Sequence, residues 1–126
     1  AFINTFPESE YIAEANELIF DLDFRLEMKA YDTALQYNTL SDYQASIKSF
    51  DNFILDFPGS RLREKAMYYR FDSSYKLAIN SVSWRMQERI DKAISYFNSF
   101  KRSYESSEFI EEAEIKLNEL KELKTT

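Results

Sequence analysis

Three stretches of this chain carry the same spacing of apolar, small and helix-breaking residues, and that spacing limits the fold more than any other feature. Phe2, Phe6, Pro7, Ser9, Tyr11 and Ala15 match Phe53, Phe57, Pro58, Ser60, Leu62 and Ala66 at an offset of 51 residues. Phe100, Tyr104, Glu105, Ser107, Phe109 and Ala113 repeat the pattern less strictly, 47 residues further on. Between the last two copies the match extends upstream. YQASIKSFDNF (43–53) parallels IDKAISYFNSF (90–100), with Ile47, Phe50 and Phe53 in register with Ile94, Phe97 and Phe100. Self-similarity at such a period marks stacked helix pairs, in which each unit buries its apolar face only against its neighbours.

The middle copy indicates what the repeated element does. A helix with Ile47, Phe50, Ile54 and Phe57 on one face has to stop at Pro58, which lacks an N–H and biases Phe57 away from helical geometry. Gly59, the single glycine, accommodates the turn. Ser60 is then placed to cap the next helix, and Ser9 and Ser107 stand at equivalent positions. One Gly and two Pro in 126 residues leave little turn chemistry for a β architecture. The expected fold is therefore all-α, with five or six helices in antiparallel pairs forming a single solenoid over residues 1–126. Apolar and small residues at steps of three and four predict helices over about 10–38, 42–57, 60–80, 86–104 and 107–123. The first is either one helix or two that bend near Asp23. Ser41 is the expected cap of the second, and NSVSWRMQ (80–87) is expected to form a longer connection. The last helix has acids early and lysines late, as its dipole prefers, and reads as a charged cap on the stack.

Composition removes most chemistries. The chain has no Cys and no His, so thiol nucleophiles, imidazole bases and their metal sites are excluded. There is no Gly-rich phosphate loop and no calcium-loop spacing. The carboxylate pairs Asp21/Asp23 and Glu111/Glu114 read as solvated helix faces, and Ser73 and Ser74 lack a base. A net charge of −6 argues against a nucleic-acid surface. The aromatic stripe of Phe50, Phe53, Phe57, Phe97, Phe100 and Tyr104 therefore reads as core. The chain is expected to be non-enzymatic, with no cofactor and no metal. No apolar run is long enough to span a membrane, and no signal peptide is visible. Ala1 opens directly into the pattern of a helix end, which reads as the C-terminal piece of something longer.

AYDTALQYNTLSDYQASIKSFDNFILDFP (residues 30–58) resembles a tetratricopeptide repeat. Ala34 stands at the small residue of the helix crossing, Tyr37 at the first-helix aromatic, Ser46 at the small residue of the second helix, Phe50 at its aromatic and Pro58 at the closing proline. Ala30 replaces the usual Trp, and Ser46 the usual Ala. The second copy keeps Ala93 and Phe97, replaces the proline with Glu105, and runs about 13 residues longer than the usual 34. The repeated Phe-Pro-x-Ser-x-Tyr/Leu-x-x-x-Ala junction, with YKLAINSVSWRMQERIDKAISYFNSFKRSY (75–104), is similar to the C-terminal half of the BamD family over essentially the whole chain. That resemblance implies a scaffold at the periplasmic face of the outer membrane, within the machinery that assembles β-barrel proteins. It implies two protein partners, the periplasmic domain of the BamA-type barrel subunit and unfolded outer-membrane proteins. It implies membrane attachment only through an N-terminal lipid anchor outside this chain. The alternatives are another periplasmic tetratricopeptide adaptor, of the Tol–Pal accessory type, or a regulatory helical domain of a larger protein.

Solenoids bind partners on concave faces or inter-helix loops. Residues expected to point away from the core stripes are Arg25, Lys29, Gln36, Lys48, Asp51, Asn52, Arg63 and Arg70. In SWRMQER (83–89), Trp84, Arg85, Met86 and Arg89 join Lys48, Asp51, Asn52, Arg63 and Arg70 as candidate partner-binding residues, because Trp and Arg are enriched at binding hot spots and Met adapts to irregular surfaces. The competing expectation is that Trp84 folds back over the end of its helix pair.

Overall fold

The structure, a computed structural model, describes residues 8–125. Phe2, Phe6 and Pro7 of the first junction copy lie outside the described residues. Five helices follow in order: α1 (Glu8–Thr39), α2 (Tyr43–Asp56), α3 (Arg63–Ile79), α4 (Ser83–Ser103) and α5 (Ile110–Thr125). No strand occurs among the described residues. α1 continues through Asp23 as one helix of 32 residues, about 48 Å long, and contains Ser9. α1 packs on α2, α2 on α3, α3 on α4, and α5 on both α4 and α3. This is the stacked-pair arrangement of a tetratricopeptide-type solenoid.

The two fully described junctions superpose in conformation. Phe57 and Tyr104 end their helices at φ −129°, ψ 61° and φ −138°, ψ 61°, each N–H reaching back to the carbonyl four residues earlier. The N–H groups of Ser60 and Ser107 then bond the carbonyls of Phe57 (3.0 Å) and Tyr104 (3.1 Å). Neither serine is the cap of an α-helix, contrary to the sequence expectation. Each accepts the N–H two residues on, Leu62 at 3.0 Å and Phe109 at 3.1 Å, and so caps a tight turn that leads into the helix. The reason lies across the stack. Each hydroxyl donates to a carboxylate of the preceding helix of the same direction, Ser60 to Glu27 (3.0 Å) and Ser107 to Glu64 (2.7 Å). One side chain thus closes its own turn and pins it to the neighbouring pair. The same geometry forms with Glu105 as with Pro58, so proline reinforces the stop without being needed for it. Gly59 has no positive φ, and a Cβ there would meet nothing within 4 Å.

The two intra-pair turns also differ from expectation. After α1, Ser41 takes the left-handed conformation (φ 65°). Its N–H bonds Asn38 O, and the N–H of Asp42 bonds Tyr37 O, the pattern of a Schellman stop. Asp42, rather than Ser41, caps α2 by accepting the N–H of Ala45. A residue held at positive φ is already committed to ending the previous helix. After α3 the connection is only residues 80–82, with Val82 extended (φ −65°, ψ 151°) and the helix resuming at Ser83. The expected long connection 80–87 is therefore mostly the first turn of α4. Nothing in the first turn of α4 breaks a helix, and residues 80–82 suffice to reverse the chain.

Burial follows the repeat. Tyr31 and Ala34 of α1, Phe50 and Phe53 of α2 and Ala66 of α3 form one apolar cluster. A larger one joins Met67, Tyr68, Phe71, Tyr75 and Ala78 of α3 to Ile90, Ala93, Tyr96, Phe97 and Phe100 of α4 and Ala113, Leu117 and Leu120 of α5. Ile54 and Tyr69 pack against both clusters, and the Tyr69 ring stacks on Phe50 at 6.5 Å. Phe50 and Phe97 are buried at equivalent places in α2 and α4. Truncating either to alanine is expected to cost about 3–5 kcal/mol in urea denaturation, the range for emptying a buried aromatic site. Gly59→Ala is expected to raise stability by about 0.4–1 kcal/mol in the same measurement, because it restricts the unfolded chain at a position where the native backbone and space accept a methyl group.

Candidate interaction surface

Helix direction decides which turns share an end of the solenoid. Glu27 of α1 meets Ser60 ahead of α3, and Asn38, near the end of α1, meets Asp72 and Lys76 in the second half of α3. α1 and α3 therefore run in the same direction. α5 joins them in that direction, because Tyr68, Asp72 and Tyr75 of α3 meet Glu112, Lys116 and Glu119 of α5 in order. The turns at 40–42 and 80–82 and the end of α5 consequently lie at one end of the stack.

Three large apolar side chains are exposed at that end. Leu40 is 68% exposed, Val82 57% and Trp84 75%. Trp84 does not fold back over its helix pair. Arg85 lies over the Trp84 ring at 4.7 Å, a cation–π contact that holds an exposed aromatic beside a positive charge. The turn beneath is well tied. Ser81 Oγ donates to Leu77 O (2.5 Å) and accepts from Arg89 Nη1 (2.6 Å), and Asn80 Nδ2 donates to Lys76 O (2.8 Å). Lys124 at the end of α5 pairs with Asp91 of α4 at 2.7 Å.

The structure does not bring the sequence-derived candidates into one place. Trp84 and Arg85 are exposed together, whereas Met86 is half-buried against the larger apolar cluster and Arg89 serves the turn. Lys48 and Asn52 are exposed on α2. Asp51, Arg63 and Arg70 are occupied between helices rather than pointing away from the core. Arg70 pairs with Asp51 at 2.9 Å and lies over the Tyr96 ring at 4.4 Å. Arg63 donates to the Tyr104 hydroxyl at 3.1 Å. Arg25, Lys29 and Gln36 are exposed along α1. Leu40 and Val82 escaped the sequence reading, although a signal was present: NTLS (38–41) and NSVS (80–83) each set one apolar residue in an otherwise polar turn.

A buried polar network supports this end and was also missed. Asp72 is buried, and its carboxylate accepts from Lys116 Nζ (2.6 Å), Lys76 Nζ (3.0 Å) and Asn38 Nδ2 (3.2 Å). Asn38 also donates to Ser73 Oγ at 2.6 Å, which meets Ser46 Oγ at 2.9 Å, and Ser46 in turn donates to Ala34 O at 2.9 Å. The hydroxyl of Ser46 explains why serine occupies a place usually held by alanine. On α5, Lys116 also donates to the Tyr68 hydroxyl (2.6 Å), while Tyr68 donates to Glu112 and Tyr75 to Glu119. Burial alone would raise the pKa of Asp72, but the hydrogen bonds and charges of Lys116 and Lys76 outweigh it and hold the carboxyl below its ordinary 3.8. Burial, then the bond to Glu119 and its charge, push the Tyr75 phenol up to about 12. No group of three or more metal-ligating acids occurs among the described residues.

These shifts set two pH limits. A depressed Asp72 stabilises the fold fully above its unfolded pKa of 3.8, and that contribution is lost as pH falls through the lower folded value. A raised Tyr75 stabilises fully below 10.0, and the contribution is lost as pH rises toward about 12. Asp72→Asn is expected to cost about 3–5 kcal/mol at neutral pH, because two lysines lose their buried counter-charge, and to flatten the acid limb of the melting-temperature profile.

Among the described residues no helix is long and apolar enough to cross a membrane. No curated protein matches the chain. The sequence model of the YfiO family, described as outer membrane lipoprotein, matches residues 25–124. That span runs from the middle of α1 almost to the end of α5 and takes in both junctions, the Asp72 network and the Trp84 turn. The chain belongs to the YfiO family of outer membrane lipoproteins, the family of BamD.

Proposed function

We propose that this chain is a non-enzymatic scaffold of the outer-membrane β-barrel assembly machinery. It works at the periplasmic face of the outer membrane, binds the periplasmic part of the barrel-forming subunit and helps receive unfolded barrel substrates. Family membership supports the setting, and gives no support to a Tol–Pal accessory adaptor or a regulatory domain. The observation that carries the binding reading is the exposed Trp84, backed by Arg85, at the end of the stack where Val82 and Leu40 are also exposed. An aromatic and an arginine presented on a tied turn need little ordering on docking, and both are hot-spot residue types.

Trp84→Ala is expected to weaken binding to the purified periplasmic domain of the barrel subunit ten-fold or more, a hot-spot loss of about 2 kcal/mol. The melting temperature should stay nearly unchanged, since the side chain is mostly in solvent. Unchanged affinity in titration calorimetry would remove this edge from the interface.

A further inference from the structure

Within the stack, helices of the same direction meet through one repeated contact. On α1, Glu27 accepts the Ser60 hydroxyl, and Tyr31, four residues on, belongs to the cluster that Leu62 packs against. On α3, Glu64 accepts the Ser107 hydroxyl, and Tyr68, four residues on, stacks on Phe109 at 4.8 Å with 14° between the rings. The receiving face is thus a glutamate followed four residues later by an apolar ring. The incoming element is a helix start with serine followed two residues later by a large apolar side chain. α5 carries the equivalent positions a third time, with isoleucine in place of the ring. Glu111 and Ile115 stand 47 residues after Glu64 and Tyr68, the same shift that relates Ser60 to Ser107 and Leu62 to Phe109. Among the described residues nothing covers this face. Ile115 is 62% exposed, and Glu111 is exposed with no partner among the described residues.

We propose that this open face of α5 is a second docking surface, which takes the start of a partner protein's helix bearing Ser or Thr followed two residues later by an aromatic or leucine. The Glu111 carboxylate would accept the hydroxyl proton, leaving the oxygen free to cap the partner's own N–H, as Ser107 does for Phe109. Ile115 would cover the apolar side chain. The charge of the surface fits a helix start in preference to a helix end. Glu108 and Glu111 are exposed there, and a helix N-terminus carries partial positive charge whereas its C-terminus carries negative. The surface lies toward the start of α5, away from the Trp84 turn, so it is separate from the edge assigned above.

The probe is a peptide copying residues 104–120, the segment whose Ser107 and Phe109 already seat on such a face. It is titrated into the 15N-labelled protein to millimolar concentration. Backbone shifts are expected around Glu111 and Ile115. Binding should weaken at least ten-fold for a peptide with Ser107→Ala and Phe109→Ala, and equally for protein carrying Glu111→Lys or Ile115→Asp at an unchanged melting temperature. Protein with Trp84→Ala should bind the peptide normally, so failure at one surface leaves the other testable. Absence of shifts, shifts centred on α3 through displacement of the chain's own α5, or equal binding of the doubly substituted peptide would overturn the proposal.

Discussion

One buried carboxylate ties three helices together. Asp72 sits on α3 and takes hydrogen bonds from α1 through Asn38, from its own helix through Lys76 and from α5 through Lys116. An ion in the interior is costly unless its hydrogen-bonding sites are filled, and here they are filled from three directions. The attraction is therefore conditional on geometry. α5 has to approach in one register for Lys116 to reach both Asp72 and Tyr68, and α1 has to end where Asn38 can reach Asp72 and Ser73. Apolar contacts alone would tolerate small slips along the helices; this network does not.

The rest of the architecture is arranged around that constraint. The aromatic clusters on either side supply burial, and Ile54 and Tyr69 make them continuous across α3. The Ser60–Glu27 and Ser107–Glu64 bonds fix where each new helix pair begins. The result is a stack whose turns are tied by hydrogen bonds beneath the side chains exposed at its end. Such ordering suits the scaffold role proposed above, because surfaces already ordered lose less entropy on docking.

Much of the fold was legible because the junctions repeat. Phe53–Phe57–Ser60 and Phe100–Tyr104–Ser107 are local patterns, and local patterns are what a sequence displays. The serine roles came out shifted because the acceptors Glu27 and Glu64 lie in other helices, 33 and 43 residues away. Ser41 read as a cap because its positive φ depends on how α1 ends, which propensity does not reveal. The Asp72 network was illegible for the same kind of reason. In RFDSSYK (70–76) an aspartate four residues before a lysine looks like a solvated pair, and the partners on α1 and α5 that enclose it lie 34 and 44 residues away. Trp84 drew attention by its type. Leu40 and Val82 did not, because a single apolar residue in a turn becomes meaningful only when two turns prove to share an edge.

The contact between α3 and α5 has a uniform spacing: Tyr68 with Glu112, Asp72 with Lys116 and Tyr75 with Glu119 are each 44 residues apart. Such a contact behaves like a toothed rack. The turn at 105–109 is held by its own residues, since Ser107 bonds Glu64 and Phe109 stacks on Tyr68. A single residue inserted inside α5 between Glu112 and Lys116 undoes the rest of the rack. It turns every later tooth by about 100° around the helix, so that Lys116 and Glu119 leave their partners together. A change of length within the last helix is therefore felt along the whole contact at once.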